Sequence, residues 1–174
     1  MTVPRPEWQL RRRNGFTLLE ILVVLAIIGI TLSLAVINLG DDRLDRQLDE
    51  EGRRLKALIT LASEQAILQN REIALAVTTS QYQFLTLAEK KWQPIAGDRI
   101  LRLRTLKPGQ KLSLDLENRP VILPDSPDSP QVFLLSSGEI SPFLISLTDE
   151  ALDSVYRLSP GSDGQLNLDL EHRP

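Results

Sequence analysis

Gly15-Phe16-Thr17-Leu18-Leu19-Glu20 stands between the basic cluster Arg11-Arg12-Arg13 and a long apolar run, residues 21–37, in which Thr31 and Ser33 are the only hydroxyl interruptions. At about 1.5 Å per residue, residues 16–39 make a helix of about 35 Å, enough to cross a hydrocarbon layer of about 30 Å. Glu20 sits near the start of that segment. An ionised carboxylate in lipid costs on the order of 3 kcal/mol or more unless it is paired, so Glu20 asks for a partner. A plain membrane anchor has no use for it.

The string resembles the processing signal of type IV prepilins and type II secretion pseudopilins: a short basic leader ending in glycine, then Phe, then Thr-Leu-Leu-Glu opening an apolar helix. The resemblance implies that a membrane-bound prepilin peptidase cuts between Gly15 and Phe16 and methylates the new amino terminus at Phe16. It further implies that Glu20 is the acid embedded in the assembly helix. Elementary chemistry agrees with these roles. A glycine before the cut lets an extended backbone enter a protease site without a side-chain clash. The exposed ammonium at Phe16 stays cationic after methylation, so Glu20 of one subunit is expected to pair with it in a neighbour and so fix axial register.

Two other readings of the segment are open to hydropathy. A secretory signal peptide would use Arg11-Arg12-Arg13 as its basic region and Ser33-Leu34-Ala35 as its cleavage site. The apolar stretch is longer than the usual 7–15 residues or so, and Glu20 lies at its start. A single-pass anchor is permitted by hydropathy alone. Neither accounts for Gly15-Phe16 and Glu20 occurring together at this spacing.

The chain of 174 residues has room for one membrane helix and one modest globular domain. Residues 1–15 hold four arginines and one glutamate, a net of +3, whereas the remainder carries 16 basic and 22 acidic residues. Positive charge just before the helix places the N-terminus in the cytoplasm and the bulk outside. An acidic exported domain argues against nucleic acid as a partner. Cysteine is absent, which excludes disulfides and thiolate metal sites.

Past the apolar run, Asn38-Leu39-Gly40-Asp41-Asp42 marks a change of environment, where Gly40 suits a helix end and Asp41 or Asp42 a new cap. A helical period nevertheless continues. Leu44, Leu48, Leu55, Leu58, Ile59, Ala62 and Ala66 share one broad face, and charged residues fill most of the rest. The pattern predicts one long helix over about 16–69, with Gly40 and Gly52 as places for a bend.

From Asn70 the period changes to two. Ile73, Leu75 and Val77 alternate, Thr78-Thr79-Ser80 turns, and Tyr82, Phe84 and Leu87 predict a second strand. Strands are expected over 100–104 and 112–116 around the Lys107-Pro108-Gly109-Gln110 turn, over 131–135 and 143–147 around Ser136-Ser137-Gly138-Glu139, and over 155–158 and 166–170 around residues 159–164. Such spacing points to two packed antiparallel sheets. Four prolines within residues 120–130 exclude a central strand there and predict an extended, mobile connection. The segment 133–138 with 143–147 is similar to the C-terminal hairpin of H-class minor pseudopilins and related minor pilins, and the hairpin from Leu158 to Leu166 fits the same pattern.

The catalytic inventory is poor. His172, the single histidine, is third from the end and is expected to be frayed, which leaves a Ser-His-Asp arrangement without a base. Ser136-Ser137-Gly138 lacks a nucleophile-elbow pattern, and no glycine-rich phosphate loop occurs. Asp163 with Asp153 or Asp169 offers oxygens to calcium, as in the major pseudopilins that the motif resembles, but without a dense Asp-x-Asp pattern; Asp163-Gly164 reads as a turn. Tyr82 and Trp92 read as sheet-packing aromatics.

These readings give an α+β, pilin-like fold: a long N-terminal helix, transmembrane in its first half, packed on a C-terminal antiparallel β-sandwich-like domain. Its segments are a cleaved leader (1–15), a transmembrane and assembly helix (16–39), an amphipathic continuation (40–70) and a periplasmic β domain (71–174). The resemblance implies an H-class minor pseudopilin, held in the inner membrane and incorporated near the tip of a periplasmic pseudopilus that drives folded proteins across the outer membrane. Its implied partners are other minor pseudopilins, the major pseudopilin, prepilin peptidase and the inner-membrane secretion platform. No catalytic activity, cofactor or metal is assigned. The alternatives are a minor pilin of a type IV pilus and, in a different class, a membrane-anchored periplasmic adaptor or enzyme.

Overall fold

A computed structural model describes residues 17–95, 97–161 and 164–172, with the side chains of 32–42 outside the description. Helix α1 runs Leu18–Leu68. The chain divides into two compact units, Met1–Leu39 and Gly40–Pro174. In the first unit, leucine, isoleucine and valine side chains of residues 18–30 are exposed on all sides of the helix. Among the described residues, no helix is long and apolar enough to cross a membrane. The residues expected to complete a span lie partly outside the described side chains.

In the second unit the expected stripe of α1 is buried: Leu48, Leu55, Leu58, Ile59, Ala62 and Ala66 lie in the core, and Leu44 packs at its margin. Each leucine or isoleucine removed from water in this way stabilises by about 1.5–3 kcal/mol before entropy is counted. The helix ends where Asn70 turns to positive φ and the Arg71 N–H donates to the Ala66 carbonyl.

Among the described residues ten strands follow, all paired antiparallel. The first sheet holds β1 (Ile73–Val77), β2 (Gln81–Ala88), β3 (Lys91–Pro94), β4 (Arg104–Thr105) and β7 (Val132–Leu134). Its order is β3-β2-β1-β7, with β4 beside the start of β2. The second holds β5 (Gln110–Leu116), β6 (Arg119–Pro120), β8 (Leu144–Asp149), β9 (Ser154–Pro160) and β10 (Leu166–His172), in the order β10-β9-β8-β5-β6. Two antiparallel sheets and an N-terminal helix make the α+β pilin-like architecture.

Several local expectations are corrected. Residues 100–103 form no strand, because the Asp98 carboxylate accepts the Ile100 and Leu101 N–H groups at 2.7 and 3.0 Å and curls the chain into a turn. Those N–H groups, Leu101 first, hold the Asp98 carboxyl below its ordinary range, against the opposing effect of burial. Segments 131–135 and 143–147 are not the two arms of a hairpin. β7 pairs with β1 and β8 with β5 and β9, so the chain changes sheets after the Ser136-Gly138 turn. The proline-rich connection is anchored as well as extended: Val121 and Leu123 pack on the core while Ile122 between them is 97% exposed. His172 is not frayed; it closes β10 opposite Ser154, with its side chain exposed.

β1 is buried on both faces. Ile73, Leu75 and Val77 enter the main core, and Ala74 and Ala76 line the opposite face. Phe133, paired with Ala74, meets Trp92 across that face with ring centroids 5.7 Å apart. The small alanines leave room for those rings, consistent with Trp92 as a sheet-packing aromatic.

Candidate functional site

Gly15 and Phe16, the expected processing residues, lie outside the described residues. Glu20 is described, in the first turn of α1 and exposed. Its N–H donates to the Thr17 hydroxyl oxygen at 3.2 Å and to the Thr17 carbonyl at 3.1 Å. Thr17 is therefore the N-cap of α1, satisfying a donor that has no partner within the helix. The Thr-x-x-Glu spacing is the sequence signal for such a cap. Among the described residues, the Glu20 carboxylate has no hydrogen bond or ion pair. A carboxylate in the first turn also interacts favourably with the helix dipole. Further along, the Thr31 hydroxyl donates to the Ile27 and Ile28 carbonyls at 3.0 and 2.9 Å, so this polar group is satisfied within its own helix.

Asp163 lies outside the described residues, and among the described ones no group of three or more His, Cys, Asp or Glu is placed to hold a metal ion.

What the sequence reading missed is how α1 is fastened to each sheet. Glu51 projects into the domain and is buried, although its neighbours Glu50 and Arg53 are exposed. The Tyr82 hydroxyl of β2 donates to Glu51 Oε1 at 2.7 Å, and Arg54 pairs with the other carboxylate oxygen. Burial first, and the Glu51 carboxylate second, push the Tyr82 phenol strongly up. On the second sheet, the Tyr156 hydroxyl of β9 donates to Asp45 Oδ2 at 3.4 Å, and its phenol is pushed up to about 12 by burial and then by Asp45. One helix is thus tied to two sheets by two phenol–carboxylate bonds. Next to Glu51, Gly52 allows close approach to the second sheet, since a Cβ there would meet Leu168 at 3.3 Å and Tyr156 at 3.7 Å.

A third carboxylate organises the sheet change. Glu72, just before β1, accepts the Ser136 hydroxyl at 2.8 Å and the Ser136 N–H at 3.2 Å. Ser136 is thereby accounted for as part of a turn.

Comparison with known proteins agrees with this geometry. Residues 10–36 match the prokaryotic N-terminal methylation motif, and residues 51–164 match the family described as type II transport protein GspH. Type II secretion system protein H of Pseudomonas aeruginosa is 36% identical over 166 residues, covering 89% of this chain and 94% of that protein. The structure of the minor pseudopilin EpsH from the type 2 secretion system of Vibrio cholerae aligns with a TM-score of 0.60 at 27% identity, over 71% of this chain and 96% of that one. A pilin-like protein of Thermus thermophilus is 43% identical, but over 67 residues that cover 38% of this chain and 42% of that protein.

Proposed function

The chain belongs to the GspH family of type II transport proteins, and from that premise we propose that it is made as a precursor and works as a minor pseudopilin in the inner membrane. Prepilin peptidase removes residues 1–15 and methylates Phe16. The helix from residue 16 to about 39 then holds the subunit in the membrane until it enters the pseudopilus, with residues 71–174 in the periplasm. Glu20 neutralises the Phe16 ammonium of a neighbouring subunit during assembly. The chain acts as a structural part near the fibre tip, not as an enzyme, among other minor pseudopilins, the major pseudopilin and the secretion platform.

One observation carries this reading: the methylation motif and the GspH-like head occur in tandem on one chain, at residues 10–36 and 51–164. A minor pilin of a type IV pilus is the second reading, supported by the shorter pilin-like match. Deleting the gene in its own host separates the two. Loss of folded exoproteins from the medium, with pilus-dependent surface movement retained, is the expected result. Normal export with lost movement would transfer the protein to the pilus.

A further inference from the structure

Among the described residues, the longest strand edge that lacks a neighbour is that of β10, seven residues and about 23 Å long. At the opposite end of the same sheet β6 has two residues, and in the first sheet the outer side of β7 is partly closed by the Leu134–Ile140 bridge and by the Ser141 N–H donating to Phe133. The hydrogen-bond phase of β10 can be read from its hairpin. The Gly161 N–H donates to the Gln165 carbonyl at 2.7 Å, which makes 161 and 165 a bonded pair. Alternation along the register then ties Asn167, Asp169 and Glu171 to β9. Leu166, Leu168, Leu170 and His172 direct their backbone N–H and C=O groups away from β9. Pro160, which has no N–H to give, falls opposite Leu166 in a pair that needs none.

The two faces beside that edge differ in chemistry. On the inner face, Leu168 and Leu170 border a cleft of about 380 Å³ whose other walls are Tyr156 and the Asp49, Arg53 and Lys56 side chains of α1. Leu170 is 49% exposed there, a leucine on a core-facing side that the described residues leave half uncovered. On the outer face Glu171 is paired with Arg157 at 2.9 Å, whereas Asp169 is exposed and has no hydrogen-bond or ion-pair partner among the described residues. No proline and no inward charge blunts the edge.

We propose that the β10 edge is a strand-addition site for a different subunit of the secretion machinery. Its occupant is an extended segment that places a lysine opposite Asp169 on the outer face and apolar side chains over Leu168 and Leu170 on the inner face. Backbone bonds to Leu168 and Leu170 supply affinity, and the alternating side chains supply selection. A second copy of this chain is disfavoured, because the register that pairs the whole of β10 with itself sets Asp169 against Asp169. The inference rests on the chain's being a secretion-system subunit.

The test uses the full-length chain in its secreting host, in place of the chromosomal copy. The sequence has no cysteine, so Asn167→Cys supplies a single thiol on the outer face of β10, and a short thiol-to-amine cross-linker probes for the lysine expected nearby. The expected product joins this chain to another secretion subunit within an extended segment. Leu170→Pro removes an outward N–H while leaving the bonds to β9 intact, and is expected to reduce that product at least about tenfold. Leu170→Ala keeps the N–H and is expected to retain most of it. Asp169→Arg, on the solvent face, reverses the charge without adding a reactive amine beside the introduced thiol and is expected to lose the product without changing the thermal melt. A product formed at full yield by Leu170→Pro or by a folded Asp169→Arg would overturn the proposal, as would a product containing two copies of this chain. If deletion of the gene blocks export and no edge product forms, the strand-addition site fails while the secretion role stands. If deletion leaves export normal, the secretion role itself fails.

Discussion

The two stretches of α1 answer to different surroundings. From Leu18 to Ile30, apolar side chains are exposed on all sides, and one acid, Glu20, stands among them without a partner in the described chain. From Leu44 to Ala66, a single stripe is buried and charges occupy the outer face. A helix apolar on every side needs a lipid or protein environment, whereas a striped helix needs one packed neighbour. On the function proposed above, the first stretch serves processing and assembly, while the second packs against the two sheets.

That division predicts separable damage. The largest effect is expected at Gly15. Gly15→Leu crowds the scissile peptide and should leave the precursor uncut, seen as an unshifted band on a gel, while the head melts as before. Next, Glu20→Leu makes the helix more apolar, so insertion and cleavage should survive while export and co-purification with other pseudopilins fall sharply. Unchanged export would return Glu20 to the status of a tolerated surface acid.

The head should show the converse. Ile59→Ala or Leu55→Ala empties a fully enclosed position and should destabilise the domain by about 2–5 kcal/mol in denaturant titration, with leader cleavage unaffected. Tyr82→Phe leaves the Glu51 oxygen without its 2.7 Å donor and should cost about 1–3 kcal/mol. The 3.4 Å Tyr156–Asp45 bond is weaker, and Tyr156→Phe is expected to cost less than about 1 kcal/mol.

The same phenols set an alkaline limit. Both are raised above the ordinary tyrosine value near 10, so the folded head binds their protons more tightly than the unfolded chain does. Their contribution is complete below about pH 10 and is lost as the pH rises through the folded values, the lower of which is about 12. Melting temperature should therefore fall above about pH 10, and less steeply in Tyr82→Phe.

The helix stripe and most of the strands were legible in the sequence because burial there follows a strict period. The misses have local causes. β3 and β6 follow two-residue turns at Glu89-Lys90 and Glu117-Asn118, all at positive φ, where glycine or Asn-Gly is the usual signal. The change of sheets between β7 and β8 was invisible because either strand's alternation suits either sheet. Glu51 was hidden because a buried acid looks like its exposed neighbours until Tyr82 is brought to it. The Thr17 cap was readable in Thr-x-x-Glu, but the processing motif occupies the same letters.

The first residue of the mature chain separates a processed pseudopilin from a signal-peptide product or a plain anchor. Intact-mass and N-terminal peptide mass spectrometry of the protein extracted from membranes reads this directly. The expected species comprises residues 16–174 and starts at Phe16 with one added methyl group on its amine. A chain that keeps Met1, or one that starts at Val36 as a signal-peptide cut would leave it, would contradict the account.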